Sequence, residues 1–518
     1  MAYTGKSFVI DCSRGGFCGL RNIDAIPAEM MIEPSRNVNI NVGVRKPRGG
    51  TSKLYPAAFS GAPHIMGLYK FRLANATEFI MAATKDGKLY KNATTTIKTG
   101  MSTSDYFSFE TILDTLFVAD GATQVQTWNG VDVATADITT PALDWGGAYD
   151  YPFQVMQHMN GNSRRLFALN KDALYWCIGD TPTDFNGTGS GVIYGDTGDG
   201  IGFVGMIEFG KRLFVFGKTQ VWYLDDSDID ISKWALVPVQ WEGGVAHWRL
   251  LVKTKNNLYA ATESGDIYSV STTQAYGDYY QASIAVPAGI HEWIQDNVSL
   301  GNIDKAHAVF DSQNRMVKWF FPRSGDTPVS VCLPFCVDRQ PQEAWGCPHD
   351  NVSSPSGYNA SVSVNIRESM GIYRVYTGDY SGNVWKTEMT SIDDDGHAYI
   401  KGFDVPTIFA DSPRTTKHFN DGWVVMEPEG NYTLSAHHWA DGIAITNTTN
   451  ISEGGTGGVL DSFILDVDVL GGQEVVDGRF HVKHRAKRIR SEFFNTGIDQ
   501  TFSISKILYD FKPVGVRQ

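Results

Sequence analysis

The sequence lacks almost everything that would mark a membrane protein, a secreted disulfide scaffold or a familiar enzyme. No apolar run approaches the roughly 18 residues that a membrane helix needs. The first residues, MAYTGKSFVIDC, contain no basic stretch followed by an apolar one, so no secretory signal is expected. Triplets such as Asn297-Val-Ser then carry little weight as glycosylation sites. Six cysteines in 518 residues suit a reducing compartment better than a disulfide framework. There is no G-x-S-x-G nucleophile elbow.

Three partial motifs also fall short. Gly200-Ile-Gly202-Phe-Val-Gly205 has dinucleotide-fingerprint spacing, but that motif needs a strand before it and a helix after it. Here a Gly/Asp-rich loop precedes and the strand-like MIEFGKRLFVF follows. His291-Glu292 opens an H-E-x-x-H pattern, with Gln295 where the second histidine belongs. Cys332, Cys336, Cys347 and His349 are spaced C-x3-C-x10-C-x-H, without the tight C-x2-C knuckle of common zinc sites. Incidental thiols are expected, with no metal and no cofactor. The acidic runs Asp225–Asp230 and Asp393-Asp394-Asp395-Gly396 follow no EF-hand spacing and read as solvated turns. No carboxylate pair stands out as a glycosidase couple, and the turns do not reproduce sialidase Asp-boxes. The chain is therefore read as a non-enzyme.

What is present is apolar, aromatic and repetitive. Hydrophobic residues make up 42% and aromatics 12% of the chain, enough for two or three domains with real cores. The phrase RLFALNKDALYWC at Arg165 returns 47 residues later as RLFVFGKTQVWYL at Arg212. Related phrases begin at Phe79, Leu116, Leu258, Val309 and Val375. Each is an apolar run, a short polar turn and a second run landing near Trp or Tyr, which is a β-hairpin signal. A period near 45 residues fits the four-stranded blade of a β-propeller. The expected fold is all-β: a propeller of six or seven blades over 56–400, an extended N-terminal arm over 1–55, and a C-terminal β-sandwich-like domain over 401–518. Leu213, Phe214, Val221 and Trp222 are expected to pack a blade. The long 66-residue interval after Val309 is expected to hold an insertion, with residues 340–360 as a candidate moving gate.

Charge divides the chain. Residues 1–53 carry +4, residues 54–399 carry −14 and residues 400–518 carry −3. So acidic a body does not grip nucleic acid, which needs clustered cations. Two basic stretches remain: VGVRKPRGG, with Arg45, Lys46 and Arg48, and RFHVKHRAKRIR, with Arg479, Lys483, Arg485, Lys487, Arg488 and Arg490. No interleaved aromatics mark them as stacking platforms. They are candidate assembly contacts with an acidic partner, weighed against solvated strand faces.

The arm segment GLRNIDAIPAEMMIEPSRNVNINVGVRKPRGG resembles the opening of tail nozzle proteins of short-tailed bacteriophages, also called packaged-DNA stabilisation or tail tubular proteins. The stretch TPTDFNGTGSGVIYGDTGDGIGFVGMIEFGKRLFVFGKTQVWYL and the terminal RAKRIRSEFFNTGIDQTFSISKILYDFKPVGVRQ are similar to the same group. The resemblance implies a virion structural protein assembled in the host cytoplasm. It implies a homohexameric ring beneath the portal and adaptor, near tail fibres or spikes and away from any membrane. Genomic DNA would pass through the ring without sequence-specific binding, be retained there, and be released at ejection. The alternative from the residues is a carbohydrate- or receptor-binding propeller, in which some of the thirteen Trp and twenty-two Tyr stack on sugars.

Overall fold

The computed structural model describes all residues except 1–4, 42, 161–162, 196, 273–278, 351–356, 369–370, 428, 431, 447, 453–475 and 515–518. Second strands such as Arg212–Phe216 are apolar almost throughout and buried on both faces. A strand of this kind needs cover on both sides, and a blade stacked between two others supplies it. Seven such sheets follow one another along the chain. Their innermost strands are Ile65–Arg72, Ser108–Ile112, Gln154–Asn160, Gly205–Phe209, Val252–Lys253, His307–Asp311 and Ala360–Arg367. Six sheets have four antiparallel strands and the sixth blade has three. One residue from each blade (Leu68, Phe109, Met156, Ile207, Leu251, Ala308 and Val362) lines a single axial cavity, so the sheets close into a seven-bladed propeller.

The repeated phrase is the second–third strand hairpin of a blade. Its polar turn is capped by side chains. Asp120 Oδ1 accepts from Thr123 N at 2.7 Å, Asn170 Oδ1 from Ala173 N at 2.7 Å and Asp379 Oδ1 from Asn383 N at 2.8 Å. Its aromatic landing is core: Tyr90, Trp128, Trp176, Trp222, Tyr268 and Trp385 are all buried, as are Leu213, Phe214 and Val221. The phrase at Val309 is the exception, because it pairs the innermost strand with the second one. That one-strand shift in phase lengthens the apparent interval after it.

Eight strands of residues 401–513 and four N-terminal strands form a sandwich of two six-stranded sheets, whose strands alternate in and out, the period-two pattern of strands covered on one side. The N-terminal residues are woven through it. Lys6–Asp11 and Val44–Pro47 pair with Ile504–Pro513, and Ile32–Arg36 pairs with Lys401–Ile408. Gly50–Lys53 then leaves the sandwich to become the outer strand of blade 7, against Val384–Met389. The arm is thus part of both bodies. Thr433–Ala440 turns at Asp441-Gly442. Ile489–Asn495 and Ile504–Pro513 lie in opposite sheets.

The expected gate segment lies partly in the core. Ala344, Trp345, Cys347, His349 and Asp350 are buried, and Phe17 N donates to Trp345 O at 2.6 Å. Residues 351–356 of that segment fall outside the described residues.

Candidate functional site

The nine cations proposed for assembly separate into three groups. Arg45 and Arg48, expected at a subunit surface, are instead fully buried. Arg48 donates two bonds to Asp394, at 2.9 and 2.7 Å, and one to Asn37 Oδ1 at 2.9 Å. Its guanidinium lies over the rings of Tyr399 and Tyr358, 3.9 and 4.2 Å from their centroids. Burial opposes its charge, but Asp394 outweighs that and raises the Arg48 pKa. Asp394, read from sequence as part of a solvated turn, is therefore a buried counter-ion at 0% exposure. Arg45 lies over Phe403, 4.6 Å from the ring centroid, and donates to Glu29 O. These two residues tie the arm to the sandwich and to blade 7.

A second group is paired with carboxylates, three of the pairs at the surface and the fourth, Arg490, on the buried Asp404. Lys46 meets Glu429 at 2.7 Å, Arg479 meets Asp421 at 2.6 Å, Arg488 meets Asp24 at 2.7 Å and Arg490 meets Asp404 at 3.1 Å. Lys483, Arg485 and Lys487 form the third group. They are exposed on and just beyond Val476–Ala486, and among the described residues no carboxylate lies within ion-pair distance of them.

The partial motifs resolve into structure. Gly202 sits at φ +89°, and a Cβ there would meet Lys171 O at 2.2 Å, so the position needs glycine. His291 and Glu292 sit on the short helix Ile290–Asn297, where Arg21 N donates to Glu292 Oε2 at 3.4 Å. Cys347 Sγ bonds the Val38 backbone at 3.1 Å. Burial lifts the Cys332 and Cys347 thiols above their ordinary pKa. No group of three His, Cys, Asp or Glu side chains converges to hold a metal among the described residues.

The propeller has two concave places, one on its axis and one among the loops of blades 1, 2, 6 and 7. The first is the axial cavity of about 270 Å³, with walls of mixed polar and apolar surface. Glu110 is its acidic group, and burial raises its pKa. Toward the end of the innermost strand Gln154–Asn160, His158 is 1% exposed and bonds Asp226 Oδ2 at 3.1 Å, with Glu208 3.5 Å away. Burial disfavours the imidazolium, yet the two carboxylates outweigh it and push its pKa up to about 9. The second place is a cavity of about 490 Å³ at the opposite mouth, lined by His64, Lys85, Tyr106, Asp304, Lys305 and Tyr380 among others. No local pattern in the sequence points to it, because these residues are scattered over loops of four blades.

The fold and these sites define a seven-bladed propeller fused to a sandwich. No family model matches the sequence, and no curated protein matches it. Among solved structures, U3-55K is similar at 9% identity and TM-score 0.40, covering 66% of this chain and 98% of its own. The β-propeller domain of Cps50 (Swd1) from Myceliophteria thermophila gives 10% and 0.41, with coverages of 66% and 100%. The Pan2 WD40 domain of Neurospora crassa gives 9% and 0.39, with coverages of 68% and 97%. Likenesses this distant carry no argument about function; the blades stand on the strand pairings.

Proposed function

We propose that this chain is a ring-forming structural subunit of a short-tailed phage tail nozzle, which holds the packaged genome and opens for its ejection. The observation that carries the reading is charge asymmetry within one folded chain. Lys483, Arg485 and Lys487 project from the sandwich, while residues 54–399, nearly all of them propeller, carry −14. Two unlike surfaces on one subunit favour head-to-tail association, the kind that closes into rings. Like-charged propeller walls would let DNA slide without sticking. The axial cavity of one propeller is far too small for a duplex, so the channel in this reading lies between copies. Resemblance of the arm and C-terminus to nozzle proteins supplies the hexamer, the adaptor and portal contacts, and the location in the virion.

Electron microscopy of the purified protein, together with its particle mass, tests the reading. A sixfold ring is expected, alone or once the adaptor is added. A protein that stays monomeric with its adaptor and binds host glycans would replace this reading with the receptor-binding one.

A further inference from the structure

The mouth cavity combines features that point to a ligand. Its aromatic walls are tilted against each other: His64 and Tyr380 lie 4.4 Å apart at 35°, and His64 and Tyr106 lie 6.2 Å apart at 76°. No parallel slot is left for a flat base, whereas the puckered face of a sugar packs against such rings. His64 is kept neutral: burial first, then Lys85 and Arg249, lower its pKa to about 4. Its Nε2 is buried and has no hydrogen-bond partner among the described residues, so the ring serves as part of the cavity wall.

Charge at the rim is as specific. Lys85 pairs with no carboxylate among the described residues, and Lys305 is steadied by Asn302 Oδ1 at 2.8 Å. Two ammonium groups suit one carboxylate, and Asp304 suits hydroxyl donors while opposing a multiply charged phosphate. Buried Arg249 lies beneath the Tyr106 ring, 3.2 Å from its centroid. It donates to the carbonyls of Asp304 and Lys305 at 3.2 and 2.7 Å, which fixes the loop that presents both. A cationic rim stands out on a propeller that is otherwise strongly acidic.

From this arrangement we infer that the propeller mouth binds a carboxylated saccharide. The carboxylate lies between Lys85 and Lys305, the ring lies on Tyr106, Tyr380 and His64, and hydroxyls reach Asp304. The site does not depend on ring assembly.

Saturation-transfer NMR and calorimetry on the full chain, with D-glucuronic acid, D-glucose and ATP as probes, test it. Saturable binding of glucuronic acid at millimolar concentration is expected, with glucose about tenfold weaker. The double variant Lys85→Gln/Lys305→Gln, at one exposed and one half-buried position, weakens glucuronic acid about tenfold with a nearly unchanged melting temperature, and Tyr380→Ala abolishes binding. Absence of saturable glucuronic acid binding, equal affinity for glucose, tighter binding of ATP, or a double variant that binds like wild type would each overturn the site. Particle mass, read in parallel, reports the nozzle proposal separately.

Discussion

At the scale of the residue, buried charge is the main risk the fold carries. Arg48 and Asp394 are both at 0% exposure, so removing one leaves the other ionised in a dry site. Arg48→Ala should lower stability by about 3–5 kcal/mol, read from the denaturant midpoint. Adding Asp394→Asn should recover part of that loss, since the double variant no longer buries a lone charge. His158 behaves differently because it titrates. Its pKa is raised from 6.5 to about 9 in the folded state. Its contribution is therefore complete below about pH 6.5 and is lost as pH climbs through about 9. Thermal melting from pH 6 to 10 should show that decline in the wild type, and His158→Gln should flatten it over the same window. A wild-type profile with no decline would remove the assignment.

At the scale of the element, the four residues Gly50–Lys53 close the propeller. Gly50 N donates to Ser391 O at 2.8 Å, and a Cβ on Gly50 would meet Asp393 O at 1.9 Å. Gly50→Val should open the seam of blade 7, cost about 2–4 kcal/mol and bring rapid proteolysis near Val384–Met389. Gly301→Ala, where a Cβ meets nothing within 4 Å, should leave both readouts unchanged. The blades themselves were legible in the sequence, because a hairpin is local: apolar run, capped turn and aromatic landing lie within about a dozen residues. The phase shift at Val309 was not, since an innermost and a second strand joined by a short polar turn read like a second and a third. The fate of Arg48 was illegible for a related reason. Asp394 is 346 residues away in sequence, and nothing near Arg48 distinguishes a buried cation from a solvated one. The mouth cavity was hidden in the same way, its side chains drawn together only by ring closure.

At the scale of the whole molecule, opposite charge should govern association. Lys483→Glu/Arg485→Glu/Lys487→Glu changes three exposed side chains and should leave the melting temperature nearly unchanged. The same variant should abolish or strongly weaken the proposed ring, read by microscopy, and raised salt should weaken wild-type assembly in the same direction. Assembly indifferent to both treatments would place the contacts elsewhere on the chain.

The weaving of the N-terminal strands into the sandwich has a consequence for biosynthesis. Residues 6–47 leave the ribosome more than 400 residues before the last strand they pair with, Ile504–Pro513. At roughly 5–20 residues per second, their edges wait on the order of a minute for partners. During that time the propeller can stack blade by blade, but its final seam must find a segment already made and still attached to an unpaired leader. The nascent chain thus carries open strand edges for most of its synthesis. Early truncation products and stalled chains of this protein should be the species that recruit chaperones or aggregate, far more than the finished fold.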